Sequence, residues 1–505
     1  MNGVLGGNAT VGTISATGLY TAPASFPGIG LNTFTITATS QADSTVTASA
    51  SATVVYPNDT STAQTAPVKL GTSGSNANNV SIAPPAACCV GTLGGLMNRS
   101  GTLFILSNEH VLTNSGVAAV GDAINQPGPS ACFAAPGTAA NFSEGSALKP
   151  TTGTTGQAPN NVDAALAQVS AGQVDTTGSI LDLGISGASS IAAAPPSSTT
   201  AVESVGLSVA KSGRTTGLTC STVSSILTTV TVDYDSACGG QVAFSSTFVN
   251  QIVINNSGGG FAAPGDSGAL VVTSDQARPV GLLFAGTSTT AVANPIRDVI
   301  NAFTVQSVPK QIPGIVGGAD HAVSCVPTAT VPSGNPNGAF STTVPGLSPI
   351  VGRLSAAEQQ RVQGVHQAHA PLLTLDPAIT SVVVGGSEDS PGEGALEIRV
   401  SGTPQAPIPA VINGVRTRVI YEGPGPAPTL AQQDVDHAAA VKKAHVATLL
   451  GQSGIQGVGV AISKDHPAEA AIAIYVIKGA THPPVPAVLD GVRTQIIEGE
   501  RFRAF

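Results

Sequence analysis

The chain has 505 residues, of which 59 are glycine and only 10 % are charged, and its formal net charge is −9. This length allows about three or four domains, and a negative chain without a basic cluster argues against nucleic-acid binding. The abundance of Val, Thr and Gly favours a strand-rich protein with many turns, and no stretch approaches the roughly 18 apolar residues that span a membrane.

Residues 1–57 show the alternation of apolar and polar residues that predicts half-buried strands, most clearly over 33–39 and 45–55. Residues 12–24, with Gly18-Leu19-Tyr20 at their centre, resemble the bacterial immunoglobulin-like (group 2) repeat. That resemblance implies a β-sandwich that serves exported proteins as a spacer or adhesive arm. No secretory signal is visible at the start of the chain, so we expect a truncated start and a secreted or cell-surface protein. Residues 58–82 are rich in Asn, Thr, Ser and Gly and are predicted to be a linker.

One histidine, His110, is present in the first 320 residues, and it follows the apolar run 103–106. This pattern predicts a strand that carries the imidazole at its end, which is also where an ordinary structural histidine can lie. A catalytic imidazole needs a carboxylate to orient it. Asp163 is the preferred one because it opens the apolar segment 164–167, whereas the other acidic candidates before the serine lack that position: Asp122, Glu144, Asp175, Asp182, Glu203, Asp233, Asp235 and Asp266.

The segment Gly265-Asp266-Ser267-Gly268 precedes an apolar strand. Flanking glycines allow a sharp turn that presents the Ser267 hydroxyl, and the N–H groups of Gly265 and Ser267 can then face a developing oxyanion. We expect Asp266 to hold the turn through its own local hydrogen bonds. Taken alone, the segment is equally consistent with an ordinary turn.

The order His110, Asp163, Ser267, together with the stretch Ser212-Gly213-Arg214-Thr215-Thr216-Gly217, is similar to that of chymotrypsin-like (trypsin-like) serine endopeptidases of the secreted bacterial branch. The resemblance covers roughly residues 86–305. It implies a mainly β chain with a double β-barrel protease domain over 83–305. It also implies that His110, Asp163 and Ser267 are the catalytic triad, with Gly265 and Ser267 as the oxyanion hole.

The resemblance further implies that Phe261 forms the base of a substrate pocket whose wall comes from Leu283, Phe284 and Gly286. No acid stands at the base, so a preference for Lys or Arg is disfavoured, and we expect an apolar or small residue before the scissile bond. The alternative is that Phe261 simply packs in the second barrel.

Six cysteines lie in or next to this region. Cys220 and Cys238 bracket a predicted hairpin and are the preferred disulfide, and Cys88 or Cys89 with Cys132 is a second candidate pair. Spacing alone does not fix the connectivity. The scatter of the cysteines does not suggest a metal site, and no cofactor is expected.

Residues 306–354 are rich in Pro and Gly and are predicted to be an irregular connector. An internal repeat follows, because residues 408–420 recur as 485–497. The two units, 355–423 and 430–505, are predicted to be small α+β domains with the order helix, strand, strand, short helix, strand. The residues that recur in both units are expected to be structural, with the arginines on an exposed face: His369 and His445, Glu393 and Glu469, Arg416 and Arg493. The alternative is a binding or regulatory role toward a ligand that the sequence does not specify.

The sequence therefore predicts a serine endopeptidase that acts on a protein or peptide substrate. The terminal domains are expected to contact a cell-surface or matrix partner. Two alternatives stay open. The first is a catalytically silent protein that uses a peptidase fold for binding or adhesion, and the second is a protease that cuts its own connector within 306–354.

Overall fold

The computed structural model describes residues 58–505 with gaps at 79, 82–86, 89, 114–115, 129–136, 152–157, 185–190, 236–241, 258–259, 326–353 and 423–429. Nearer the start it describes residues 6–8, 12–15, 20–21, 33–40, 42–43 and 45–53. The described chain is mainly β, which confirms the predicted class.

The N-terminal segment contains five described strands, β1 (Gly7–Asn8), β2 (Gly12–Ile14), β3 (Tyr20–Thr21), β4 (Thr33–Thr39) and β5 (Thr47–Thr53). The first three form a small antiparallel sheet, and β4 and β5 pair along their whole length as a hairpin. The hairpin agrees with the alternating pattern of the sequence. The predicted immunoglobulin-like sandwich stays a prediction, because much of residues 1–32 lies outside the described residues.

Nine strands and one short helix lie in the region of the first barrel: β6 (Thr72–Asn76), β7 (Val80–Ser81), β8 (Ala87–Cys88), β9 (Gly91–Leu93), β10 (Gly95–Arg99), β11 (Thr102–Ser107), α1 (Glu109–Leu112), β12 (Ala123–Asn125), β13 (Thr138–Gly145) and β14 (Ala165–Val169). Of these, β7 and β8 pair with each other as a separate two-stranded sheet. Six of the strands pair in the order β11-β14-β13-β12-β6-β9. Gly94, directly after β9, donates to the carbonyl of Leu106 on β11 (3.0 Å), so the two ends of this run meet. The enclosed side chains form one apolar core.

The prediction of a linker over 58–82 is wrong. Val68 and Leu70 are buried in the core of the first barrel, and β6 is one of its strands. Asn58 donates to the Asp182 carboxylate, and Thr60 donates to the carbonyl of Arg214. Small polar residues suggested a flexible spacer, but here their backbone pairs in a sheet and their side chains make buried hydrogen bonds.

The second barrel consists of β15 (Ser208–Gly213), β16 (Gly217–Asp235), β17 (Val242–Asn255), β18 (Leu270–Thr273), β19 (Pro279–Gly286) and β20 (Thr290–Pro295). These strands pair in the order β15-β18-β19-β20-β17-β16, and β16 pairs back onto β15. The sheet is therefore closed, with an apolar interior. The strand after Ser267, β18, is fully buried.

Helix α2 (Ile296–Ala302) leads from the second barrel into the region predicted as a connector. Part of that region is ordered structure, since β21 (Gly314–Ile315) pairs with β10 and Val323 joins the first core. Cys325 forms a disulfide with Cys220, which corrects the predicted Cys220–Cys238 pair. The segment after α2 runs back along the barrels and brings Cys325 next to Cys220 at the start of β16. The spacing of Cys220 and Cys238 around a predicted hairpin could not reveal this long-range contact. Cys238 and the predicted Cys88 or Cys89 with Cys132 pairing lie outside the described side chains.

Two α+β units complete the chain. The first has α3 (Ala356–Leu373), β22 (Ile379–Gly386), β23 (Gly394–Val400), β24 (Val411–Ile412) and β25 (Val415–Tyr421). The second has α4 (Gln432–Leu450), β26 (Ile455–Ile462), β27 (Ala470–Ile477), β28 (Val488–Leu489), β29 (Val492–Gly499) and a last strand β30 (Arg503–Ala504). Both units thus have the same order of elements, with a short strand where a short helix was predicted. The second unit continues the second barrel, because β26 pairs antiparallel with β16.

The two units contact each other through reciprocal hydrogen bonds. Arg416 donates to the backbone carbonyl (2.8 Å) and side chain (3.1 Å) of Thr494, and Arg493 donates in the same way to Thr417 (2.8 and 3.1 Å). Both arginines are only 2 % exposed. The prediction that they lie on an exposed face is therefore wrong, because their charge is satisfied inside an interface that the sequence of one unit does not display.

Candidate active site

His110 and Asp163 are brought together by strand pairing. The apolar strand β11 ends at Ser107, and the short helix α1 follows and carries His110. Asp163 lies just before β14, which pairs with β11 so that Ser107 faces Ala165. As a result, Nδ1 of His110 lies 2.6 Å from Oδ2 of Asp163.

The Asp163 carboxylate is fully buried and is held from several sides. Its Oδ1 accepts the N–H of Glu109 (2.7 Å), and its Oδ2 accepts the Tyr234 hydroxyl (2.8 Å) as well as facing the imidazole. The Asn294 side chain binds the backbone of Asp163 through both its oxygen and its nitrogen. Such a carboxylate fixes the orientation of the imidazole and favours the tautomer with a proton on Nδ1.

The electrostatics of the pair favour a charged imidazole. Burial opposes the charged form of His110, but the charge and hydrogen bond of Asp163, with the Phe505 carbonyl and the charge of Glu109, together outweigh it, and the pKa of His110 is raised above its usual value. Burial, and then the charge of Asp163, raise the pKa of the neighbouring Glu109 to about 7. Burial and Asp163 also hold the pKa of Tyr234 well above its usual value, so the phenol keeps the proton that it donates.

Ser267 lies on a sharp turn that two glycines make possible. Gly265 has φ 100° and Gly268 has φ 94°, in the region that residues with a side chain rarely adopt. The Ser267 hydroxyl donates to the carbonyl of Phe284 (3.0 Å). Across the described part of the chain, the N–H groups of Gly265 and Ser267 have no hydrogen-bond acceptor, which leaves both amides available to an oxyanion.

Asp266 holds this turn as expected from sequence, but mainly through partners about 50 positions away rather than through local hydrogen bonds. Its carboxylate accepts the N–H groups of Thr215 (2.8 Å), Thr216 (3.1 Å) and Ala263 (3.0 Å). The fully buried Lys211 places Nζ 3.5 Å from Oδ2 of Asp266, and burial lowers the lysine pKa to about 8 against the opposing effect of that carboxylate. The turn that carries Ser267 is therefore fixed by a buried charge pair.

The segment at Phe505 lies between Ser267 and His110. The Phe505 carbonyl oxygen is 3.3 Å from Nε2 of His110, and the Phe505 N–H donates to the carbonyl of Phe284 (3.2 Å). The Ser267 hydroxyl shares this acceptor. Among the described residues, no hydrogen bond joins Ser267 to His110. His110 contacts Phe505 directly, and Ser267 shares the Phe284 carbonyl with it.

The four predicted pocket residues lie around the same place. Phe284 and Gly286 of β19, together with Ala285 between them, pair with or contact residues 503–505, and a Cβ at position 286 would clash with the Phe505 ring. Phe261 and Leu283 are buried in the apolar cluster against which Phe505 packs. Phe261 also accepts the Thr219 hydroxyl through its carbonyl (2.7 Å). Both interpretations of Phe261, pocket base and barrel core, are consistent with this position.

Sequence reasoning did not identify Tyr234, Lys211 or Phe505 as parts of this site. Each lies far along the chain from the group that it contacts, and none belongs to a short motif with its partner. Among the described side chains, no group of three or more His, Cys, Asp and Glu could hold a metal ion. The described helices include none long and apolar enough to cross a membrane.

Comparison with known proteins gives distant structural matches. No protein-family model and no curated protein matches the chain. Solved structures that it resembles include a glutamic acid-specific serine protease that uses a histidine triad in substrate binding (17 % identity, TM-score 0.31, covering 48 % of this chain and 100 % of the other). Protease A of Thermobifida fusca (15 %, 0.30, 50 % and 99 %) and the chymotrypsin of Cellulomonas bogoriensis (16 %, 0.27, 47 % and 97 %) are similar at the same level. At such scores these matches do not by themselves assign an activity to the chain.

Proposed function

We propose that the protein is a serine endopeptidase. Ser267 attacks the carbonyl carbon of the scissile peptide bond, and His110 takes the hydroxyl proton and later gives it to the leaving amine. Asp163 orients the imidazole and stabilises its charged form. The N–H groups of Gly265 and Ser267 donate to the oxyanion of the tetrahedral intermediate.

One observation carries this proposal. The imidazole of His110 is hydrogen-bonded through Nδ1 to a buried carboxylate and faces the Phe505 carbonyl oxygen through Nε2, while the Ser267 hydroxyl donates to the same Phe284 carbonyl that accepts the Phe505 N–H. Attack on a peptide bond needs a base and a nucleophile beside the same bound residue, and the two groups have this relation to Phe505 through its carbonyl and through the acceptor of its N–H. Catalytic hydrogen bonds are often long before a reactive complex forms, so the lack of a direct serine–histidine bond is compatible with this role.

The raised pKa of His110 supports the assignment. Burial lowers this pKa, while Asp163, mainly, and also the Phe505 carbonyl and Glu109 raise it. The site therefore stabilises the imidazolium that forms when the serine is deprotonated. The N–H groups of Gly265 and Ser267 lie in the same turn as the Ser267 hydroxyl. They can therefore donate to the negative charge that develops on the substrate carbonyl oxygen.

The test is hydrolysis of peptides together with covalent labelling by a fluorophosphonate, followed by mass spectrometry of the labelled peptide. We expect an adduct on Ser267 in the full chain and none in the Ser267→Ala variant, with labelling strongly reduced in His110→Ala. Ser170→Ala, at a half-buried serine directly after β14 of the first barrel, is the matched control and should label as the unsubstituted chain does.

Labelling that persists in Ser267→Ala would refute the proposal. A folded chain that neither labels nor hydrolyses peptides, even when Phe505→Asp removes the aromatic ring beside the candidate site, would instead favour the silent binding protein. Intact mass over time, compared with Ser267→Ala, separates cleavage of the chain's own connector from action on other proteins. Residues 326–353 of that connector lie outside the described residues.

We also propose that the protein is exported and that its immunoglobulin-like arm attaches it to a cell-surface or matrix partner. The Cys220–Cys325 disulfide supports export, because disulfides persist in oxidising compartments. The low content of charged residues is consistent with the same location. Recovery of the folded protein from the culture medium rather than from cells would test it.

A further inference from the structure

Residues 502–505 lie as an extra strand between the two strands that border the candidate active site. Strand β30 pairs antiparallel with β19, where Ala504 faces Ala285 and Arg503 faces Gly286. On its other side Arg503 faces Asp233 of β16, whose N–H donates to the carbonyl of Phe502 (2.9 Å). Addition of a strand to an exposed edge is a common way for a protein to bind an extended peptide.

The strand ends at the reacting groups. The Phe505 carbonyl oxygen lies 3.3 Å from Nε2 of His110, and its N–H shares the Phe284 carbonyl with the Ser267 hydroxyl. Phe505 therefore has the place and the chain direction of the residue that precedes a scissile bond. With the segment bound, Ser267 is fully buried, so a second peptide cannot reach it.

Two aromatic side chains anchor the segment. The Phe502 ring is 1 % exposed and packs 5.6 Å from Tyr475 of the second α+β unit. The Phe505 ring packs against Gly286 and against the apolar cluster that contains Phe261 and Leu283. A side chain at position 286 would occupy the space of that ring, so the absence of a Cβ in Gly286 makes the pocket wide enough for an aromatic residue.

The second unit delivers the segment to the cleft. It is docked on the second barrel by the β26–β16 pairing, by a hydrogen bond between Tyr475 and Ser225 (2.7 Å), and by Lys442 donating to Thr229 (2.8 Å). From the docked strand β26, the Gln456 side chain donates to the carbonyl of Glu500 (2.7 Å) and accepts the N–H of Phe502 (3.2 Å). A peptide tethered in this way has a high effective concentration at the cleft.

We propose that residues 502–505 are an intramolecular, substrate-like inhibitor of the candidate active site, and that the pocket filled by Phe505 selects an aromatic residue immediately before the scissile bond. This inference rests on the proposed function, and it deepens it by naming a substrate class and a means of regulation. The C-terminal unit then acts as a built-in competitor that external substrates must displace.

The first test measures binding without catalysis. A fluorescently labelled peptide Phe-Arg-Ala-Phe is titrated into chains that carry Ser267→Ala, with and without Phe505→Asp. Because a carboxylate is disfavoured in the apolar pocket, Phe505→Asp should release the segment from the cleft. Since loss of one buried Phe side chain is worth about ten- to hundredfold in affinity, we expect the Phe505→Asp chain to bind the peptide at least about tenfold more tightly than its parent. Equal affinity in the two chains would overturn the inhibitor.

Two further variants control for folding and specificity. Gln456→Ala loosens the segment outside the cleft and should change affinity in the same direction as Phe505→Asp. Arg503→Ala is the matched control within the segment, because its side chain is half exposed and pairs with Asp235 only at 3.8 Å, so it should change affinity little. If the Phe505→Asp chain binds Phe-Arg-Ala-Glu as tightly as Phe-Arg-Ala-Phe, the aromatic pocket is refuted.

The second test uses the serine-intact chains. The Phe505→Asp chain should hydrolyse a peptide with Phe before the scissile bond at least about tenfold faster than the unsubstituted chain at limiting substrate. If Phe505→Asp raises the affinity for the peptide but no chain hydrolyses it, the result would support occupation of the cleft by residues 502–505 and refute the proposed protease. Hydrolysis at the same rate in both chains would support the protease and refute the inhibitor.

Discussion

The carboxylate of Asp163 holds Nδ1 of His110 at 2.6 Å, although the two residues are 53 positions apart in the chain. The same carboxylate oxygen accepts the Tyr234 hydroxyl. Because the pairing of β11 with β14 fixes both backbones, the orientation of the imidazole is a property of the first barrel. The second barrel supplies Tyr234 and Ser267, so the candidate site forms where the barrels meet.

The first prediction concerns Asp163→Asn. An amide at this position would favour the wrong imidazole tautomer while leaving the shape of the site intact, and a loss of about four orders of magnitude in kcat is expected for such a change. The measurement is peptide hydrolysis in the Phe505→Asp background, where the cleft is free. A fall of less than about tenfold would contradict the role of Asp163.

The second prediction concerns the buried Glu109, whose pKa is raised from 4.5 to about 7 by burial and by Asp163. The folded chain therefore keeps a proton that the unfolded chain releases over this interval, so this contribution to stability is present below about pH 4.5 and is lost as the pH rises to about 7. Glu109→Gln removes the free-energy cost of ionising a buried carboxyl group in the folded chain. Its free energy of unfolding relative to the unsubstituted chain should rise by about 2 kcal/mol between pH 5 and pH 8.

Urea denaturation at the two pH values measures this difference. Asp122→Asn is a control at another carboxylate of the first barrel, whose side chain accepts the N–H of Ala119. A Glu109→Gln difference that does not change with pH would contradict the raised pKa.

Much of the candidate site could be predicted from the sequence, because its chemistry is carried by side chains with few substitutes. Acyl transfer needs a base, a carboxylate that orients it and a nucleophile. The sequence offers a histidine after an apolar strand, an aspartate at the head of a strand and a serine between glycines for these three roles. Phe284 and Gly286 followed from the same resemblance. The supporting residues could not be predicted, since Tyr234 and Lys211 act through contacts that depend on how two barrels pack.

The errors in the predicted fold have a common physical cause. Residues 58–82, Cys325, Arg416 and Arg493 are all placed by long-range pairing, which local composition does not encode. Small polar residues look flexible until their backbone joins a sheet, as at β6. An arginine looks exposed until a second unit satisfies its guanidinium, as Thr494 does for Arg416.

The third prediction concerns Lys211→Met. This change leaves the Asp266 carboxylate buried without its cation, and breaking a buried pair in this way costs about 3–5 kcal/mol of unfolding free energy. The Ser267 turn that Asp266 holds should become disordered, so fluorophosphonate labelling should fall together with stability. Lys149→Met, at an exposed lysine, is the matched control. Unchanged stability and labelling would contradict the role of the buried pair.

The fourth prediction concerns the Cys220–Cys325 disulfide, which joins residues 105 positions apart. Cys325→Ser should lower the free energy of unfolding by about 2–5 kcal/mol, because the disulfide restricts the unfolded chain. Thermal unfolding with and without a reductant measures this effect. The stability of the reduced, unsubstituted protein should approach that of the Cys325→Ser variant. If the variant is as stable as the oxidised, unsubstituted protein, the Cys220–Cys325 disulfide is contradicted.

The central claim is that Ser267 forms an acyl-enzyme, and trapping that intermediate tests it most directly. The Phe505→Asp chain is mixed with a nitrophenyl ester of an N-blocked phenylalanine, quenched in acid within the first turnover and analysed by mass spectrometry. We predict one acyl group per chain, located on the peptide that contains Ser267 and absent from the chain that also carries Ser267→Ala. An acyl group on another residue, or ester hydrolysis that survives Ser267→Ala, would contradict the claim.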